Sequence, residues 1–131
     1  MNQDLRYSSE LWPLIVSGRK TSTIRRNTML APGDIATHVN TNGDHINTRV
    51  TTVSRINIDK TEYASPIKIT VDGMRLTGPQ MRELAEMDGF NGAALLLIAR
   101  IEKLYSLPFD GVLIEWEAPE KQPISQKQTK E

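Results

Sequence analysis

The chain has no cysteine, which removes a disulfide framework, a thiolate nucleophile and a Cys-based zinc site from consideration. It also lacks an excess of charge. Sixteen basic residues balance sixteen acidic ones, so no global field drives strong non-specific nucleic-acid binding, and any such contact has to be local. Histidine is scarce: His38 and His45 flank an Asn-Gly-Asp turn without the spacing that metal sites use, and both are expected at the surface. Neither a metal nor another cofactor is expected. No apolar run approaches the ~18–20 residues of a membrane span, and the start Met1-Asn2-Gln3-Asp4 is polar. Neither a signal peptide nor a transmembrane helix is read here, and a soluble cytoplasmic protein is the expectation.

What the chain does have is concentrated between Gly18 and Arg26, in the run Gly-Arg-Lys-Thr-Ser-Thr-Ile-Arg-Arg. An amine, hydroxyls and guanidiniums on one short stretch are the equipment of an anion or nucleotide site. The β-branched Thr and Ile residues favour an extended strand, and Gly18 marks the turn into it. In such a strand Thr21, Thr23 and Arg25 point one way while Lys20, Ser22, Ile24 and Arg26 point the other. Lys20 and Thr23 therefore share a site only if the chain bends or bulges between them.

The rest of the chain reads as short strands separated by strong turn signals. Leu5–Tyr7 predicts a strand. A short helix follows to Val16, capped by Ser8 or Ser9, with Pro13 in its first turn and Gly18 as its stop. Ala31-Pro32-Gly33-Asp34 predicts a tight turn before a strand from Ile35 to Val39, and Asn42-Gly43 predicts a hairpin into a long or bulged strand from Ile46 to about Ile58. A further hairpin is expected within 63–76, turning at Asp72-Gly73.

Thr77 or Gly78 caps a helix that runs through Met87 and ends at Asp88-Gly89. A second helix, from about Asn91 to Lys103, is expected to bury Leu95, Leu96, Ile98 and Ile101, with Leu97 widening the apolar stripe as core. A last strand runs from Val112 to Glu117. The Pro-, Gln- and Lys-rich segment from Ala118 has almost no apolar residues to offset its ordering entropy, and disorder is expected over 118–131. About six strands with a helix pair between the late ones predict a single α+β domain over 1–117, built on a small curled mixed sheet or barrel.

Leu5-Arg6-Tyr7, the Leu11–Val16 segment, Ser17-Gly18-Arg19-Lys20-Thr21-Ser22-Thr23-Ile24-Arg25 and Pro32-Gly33-Asp34 resemble, in order, the ASCH domain of the PUA-like superfamily. Leu84-Ala85-Glu86-Met87-Asp88-Gly89-Phe90 and the Val112–Glu117 strand extend the resemblance to roughly residues 5–117. It implies a PUA-like small mixed β-barrel with flanking helices and a cleft that faces RNA or a modified nucleoside. Some relatives are binding modules. A short bacterial group deacylates N4-acetylcytidine using a Lys, a Thr and a carboxylate, which correspond to Lys20, Thr23 and Asp88. That group carries Glu where this chain has Asp88, so the carboxylate reaches about 1.5 Å less far, and Glu86 is a nearby substitute.

Two functions are thereby in view. One is binding of RNA or a modified nucleotide in a cleft lined by Lys20, Thr23, Arg25 and Arg26. The paired donors of the two guanidiniums suit phosphates or base edges, and Tyr7, Trp12 or Trp116 offers a stacking wall for bases. The other is amidohydrolysis of N4-acetylcytidine or a related N-acylated nucleoside. There Thr23 attacks the acyl carbonyl, and Lys20 acts as base or oxyanion stabiliser.

Overall fold

The computed structural model describes residues 2–60, 67–90 and 93–119. The elements run β1 (Asn2–Arg6), α1 (Trp12–Val16), β2 (Ser22–Arg25), β3 (Ile35–Val39), β4 (His45–Lys60), β5 (Ile67–Val71), β6 (Met74–Arg75), α2 (Gly78–Met87), α3 (Ala94–Tyr105) and β7 (Phe109–Trp116). This is a mixed α+β fold. The segment 61–66, the expected start of the second helix at Asn91, and the tail from 120 onward lie outside the described residues. Among the described residues, no helix is long and apolar enough to cross a membrane.

Local chemistry places the turns. The Asp34 amide donates to the Ala31 carbonyl at 3.0 Å across the Pro-Gly turn. The Asp72-Gly73 pair takes two successive left-handed conformations, φ 49° and 83°, as a two-residue hairpin turn needs. Thr77 and Gln80 form a reciprocal capping box at the start of α2, with Pro79 in its first turn. α1 differs from expectation. Its N-cap is Leu11 without a side-chain cap bond, and Ser8 contributes its carbonyl to a turn closed by the Leu11 amide at 3.1 Å.

β4 organises the sheet. One of its edges takes β3 over His45–Arg49 and then β5 over Ile56–Lys60, while the other takes β7 along Val50–Ile58. A bulge between Val50 and Thr52 breaks the register with β7 midway, which bends so long a strand. β1 adds in parallel to β3, and β2 adds antiparallel to β7. The expected barrel of about six strands is therefore corrected to a seven-stranded open sheet. No ladder joins β1 to β2 among the described residues. The gap is instead spanned by side chains, because the Arg25 guanidinium on β2 donates to the Arg6 carbonyl on β1 at 3.0 Å.

Two apolar cores result. The larger lies beneath α2 and α3 and includes Ile56, Ile58, Ile69, Leu84, Leu97, Ile101 and Phe109. The smaller gathers Leu5, Tyr7, Ile15, Ala36, Val50, Ile114 and Trp116 around α1, β1 and β3. Gly111 lets β2 approach β7 closely, since a Cβ there would lie 2.4 Å from the Arg25 carbonyl oxygen.

α3 corrects the reading of the leucine run. It buries Leu97, Ile98 and Ile101 but leaves Leu95 70% and Leu96 59% exposed. Adjacent helical positions are about 100° apart, so the four consecutive positions 95–98 cannot all share one face. The buried or half-buried apolar positions 94, 97, 98, 101 and 105 are the stripe that fits the turn.

Candidate functional site

The open gap between β1 and β2 is where the predicted site residues meet. A cavity of about 390 Å³ is lined there by Tyr7, Lys20, Thr23, Arg25 and Asp88, together with Arg6, Arg100 and Tyr105. Backbone bonds bring Lys20 and Asp88 together across the sequence. The Lys20 amide donates to Leu14 O at the end of α1, and the Thr21 amide donates to Met87 O at the end of α2, at 2.7 Å. Gly89 makes this approach possible. It has φ +96°, and a Cβ there would meet the Leu14 side chain at 3.2 Å and that of Lys20 at 3.5 Å.

Lys20 is only 2% exposed. Its Nζ donates to Ser22 O at 2.6 Å and to Asp88 O at 2.9 Å, and lies 3.1 Å from Asp88 Oδ1. The three donors of a charged amine are thereby all committed. Burial pushes the Lys20 amine below its ordinary pKa, and attraction to Asp88 pulls it back up. Burial likewise pushes the Asp88 carboxyl above its ordinary value, against the attraction of Lys20. Both desolvation effects favour the neutral forms, and the mutual attraction favours the charged ones.

The strand-parity obstacle to placing Lys20 with Thr23 is removed because β2 begins only at Ser22. Lys20 lies ahead of the strand, where alternation does not apply, and its side chain folds over the carbonyl two residues on. Thr23 is buried, and its Oγ1 accepts a hydrogen bond from Arg25 Nε at 3.3 Å. The same guanidinium sits 5.0 Å from the Tyr7 ring centroid, with Lys20 Nζ 5.9 Å from it.

Not every sequence-predicted residue reaches the cavity. Arg26 turns away to lie over Tyr105 and Phe109, 5.2 and 5.5 Å from their ring centroids. Trp116 is buried in the smaller core, Trp12 packs at its margin, and neither lines the cavity. Glu86 is exposed and lies outside it, so Asp88 is the carboxylate at this position.

Three lining residues, Arg6, Arg100 and Tyr105, were not singled out from the sequence. Arg100 interrupts the apolar run of α3 one position before the buried Ile101, and that interruption was the available signal.

His38 corrects the expectation of a surface histidine, for it is wholly buried. β3 alternates, which turns Ala36 and His38 inward together. Its ring nitrogens contact Tyr7 Oη at 3.0 Å and Thr48 Oγ1 at 2.7 Å, and its ring stacks obliquely 4.4 Å from Trp116. Burial, with the charges of Lys20 and Arg25, lowers its pKa to about 4, so the imidazole is neutral at pH 7. Burial also holds the Tyr7 phenol well above its ordinary range, opposed by the Arg25 charge, so it remains protonated. His45 is exposed.

The arrangement offers a buried amine–carboxylate pair, a hydroxyl, a phenol face and a rim of guanidiniums in one recess. No protein-family model, curated protein or solved structure matches the chain.

Proposed function

We propose that the protein binds a modified nucleoside or nucleotide, free or within RNA, in the cavity between β1 and β2, as a cytoplasmic ASCH domain of the PUA-like superfamily. The observation that carries this reading is the convergence of Tyr7, Lys20, Thr23, Arg25 and Asp88 on one recess of about 390 Å³. A recess of this size suits a small ligand. Tyr7 and Tyr105 offer ring faces for a base, and the guanidiniums offer paired donors for phosphate or base-edge acceptors. The zero net charge of the chain fits a small ligand better than a long RNA footprint.

A second reading, amidohydrolysis of N4-acetylcytidine or a related N-acylated nucleoside, is favoured by the buried Lys20–Asp88 contact beside Thr23. With Lys20 in its neutral form, its lone pair takes the Thr23 hydroxyl proton as Oγ1 bonds to the acyl carbon. The carbon–N4 bond then breaks, N4 takes the proton from Lys20, and the free nucleoside leaves an acyl-Thr23 ester. Water cleaves that ester, releasing the carboxylic acid and restoring Thr23. The Arg25 Nε–H, already directed at Thr23 Oγ1, stabilises negative charge on that oxygen.

The test is chromatographic turnover of N4-acetylcytidine by the purified protein, Thr23→Val, and a Lys20→Met/Asp88→Leu double variant, each checked for folding by circular dichroism. Turnover by the wild type, lost in both variants, supports the hydrolase reading. A folded wild type that binds the nucleoside without converting it leaves the binding module. A protein that does neither overturns the hydrolase reading and this nucleoside as the ligand.

A further inference from the structure

The charge of the cavity is far from that of the chain. Sixteen cations and sixteen anions cancel overall, yet the lining holds Lys20, Arg6, Arg25 and Arg100 against a single carboxylate, Asp88. Lys20 and Asp88 neutralise each other at 3.1 Å. Three guanidiniums are left over, from β1, β2 and α3: those of Arg25 and Arg100 half-buried, that of Arg6 exposed at the rim. Among the described residues, none of the three is paired with a carboxylate.

Like charges gathered at one recess repel, and the low-dielectric walls around them strengthen that repulsion. Arg25 is also fixed before any ligand arrives, by its bonds to Thr23 Oγ1 and Arg6 O and its place on the Tyr7 ring. Those contacts engage Nε and one terminal nitrogen. The charges of Arg25 and Arg100 are both felt at Lys20 and at Asp88, so they act on the same small volume. A neutral nucleoside leaves this field uncompensated.

We infer that Arg6, Arg25 and Arg100 form a phosphate subsite, so that the ligand of this cavity is a nucleotide phosphate and not a neutral nucleoside. The inference rests on the nucleoside-binding reading above and specifies its substrate class. A planar guanidinium presents paired N–H groups that match two phosphate oxygens, and three of them compensate the charge of a phosphomonoester or of consecutive phosphodiesters. The Tyr7 and Tyr105 rings remain for the base.

Isothermal titration of the full-length wild type with N4-ethylcytidine, in which a methylene replaces the acyl carbonyl, its 5′-monophosphate and a short single-stranded oligoribonucleotide carrying it separates the possibilities. Without an acyl carbonyl the ligands stay intact during the measurement. The monophosphate or the oligonucleotide is expected to bind roughly tenfold or more tightly than the nucleoside, the size of one charge-assisted hydrogen-bond pair. That preference is expected to shrink with added salt and in Arg100→Gln, while Arg100→Lys retains part of it. The tighter of the two phosphate ligands identifies the source, a free nucleotide or an RNA backbone, and either supports the subsite. Equal affinity for nucleoside and monophosphate, or a preference indifferent to Arg100→Gln, overturns the phosphate subsite while leaving nucleoside binding intact. No binding of any of the three overturns both.

Discussion

The apolar core beneath α2 and α3 and the polar seam between β1 and β2 bury their side chains by opposite rules. In the first, Leu97, Ile69 and Phe109 need only the right volume and face. In the second, Lys20, Ser22, Thr23, His38 and Asp88 are equally inaccessible, but each polar group depends on a particular partner. A buried amine without its carboxylate, or an imidazole without Tyr7 and Thr48, costs more than a missing methylene. A fold that needed only stability would fill the seam with leucine. Instead the seam holds a buried amine–carboxylate pair and a neutral histidine beside a cavity.

The contrast is tested most severely at Lys20. Lys20→Met keeps the volume but strands the Asp88 carboxylate, and is expected to cost about 3–5 kcal/mol in urea denaturation. The Lys20→Met/Asp88→Leu double variant is expected to recover most of that loss. A single variant losing less than about 1 kcal/mol would place the seam under the same rule as the apolar core.

Leu97→Ala tests the other side. It opens a cavity in the apolar core and is expected to cost about 2–5 kcal/mol, with no second substitution able to rescue it by charge removal.

His38 gives the seam a pH signature that the apolar core lacks. Its pKa is lowered from 6.5 to about 4 in the folded protein, so the unfolded chain takes up the proton first as pH falls. The contribution of the neutral imidazole is fully present above about pH 6.5 and is lost as pH drops toward 4, on the order of 3 kcal/mol in total. Asp88 works in the opposite direction, because its raised pKa makes the folded state the better proton acceptor. The measurement is therefore the difference between wild type and His38→Gln in urea midpoint at pH 7.5, 6 and 5. A difference that does not shrink on acidification would mean that His38 titrates as it does in the unfolded chain.

The smallest effect belongs to the exposed leucines of α3. Leu95→Ala is expected to change stability by no more than about 0.5 kcal/mol, against the large loss at Leu97 two positions along. Thermal denaturation of the two variants side by side reads the rotation of the helix directly.

Much of the fold was legible locally. Pro32-Gly33, Asn42-Gly43, Asp72-Gly73 and the Thr77 cap of α2 each set their own backbone through φ preferences and short-range hydrogen bonds, and the structure has them where they were expected. The association of Lys20, Thr23 and Asp88 rested on a resemblance carried by residues far apart in the chain, and that of Arg25 and Tyr7 on guanidinium and stacking chemistry; the fold lines one cavity with all five. Arg26 was credited to the same cleft for the paired donors of its guanidinium. The structure separates them, since the chain leaves β2 at Arg25.

The sequence alone determined where the chain turns, which segments are strands or helices, and which short stretch concentrates donors. These depend on interactions within a few residues. Tertiary structure alone decided that the sheet stays open between β1 and β2, that α3 turns Leu97 inward and Leu95 outward, that His38 is buried and that Arg6 and Arg100 join the cavity. Each of those outcomes is set by which surfaces pack against one another across long separations, and no local preference of the chain encodes that choice.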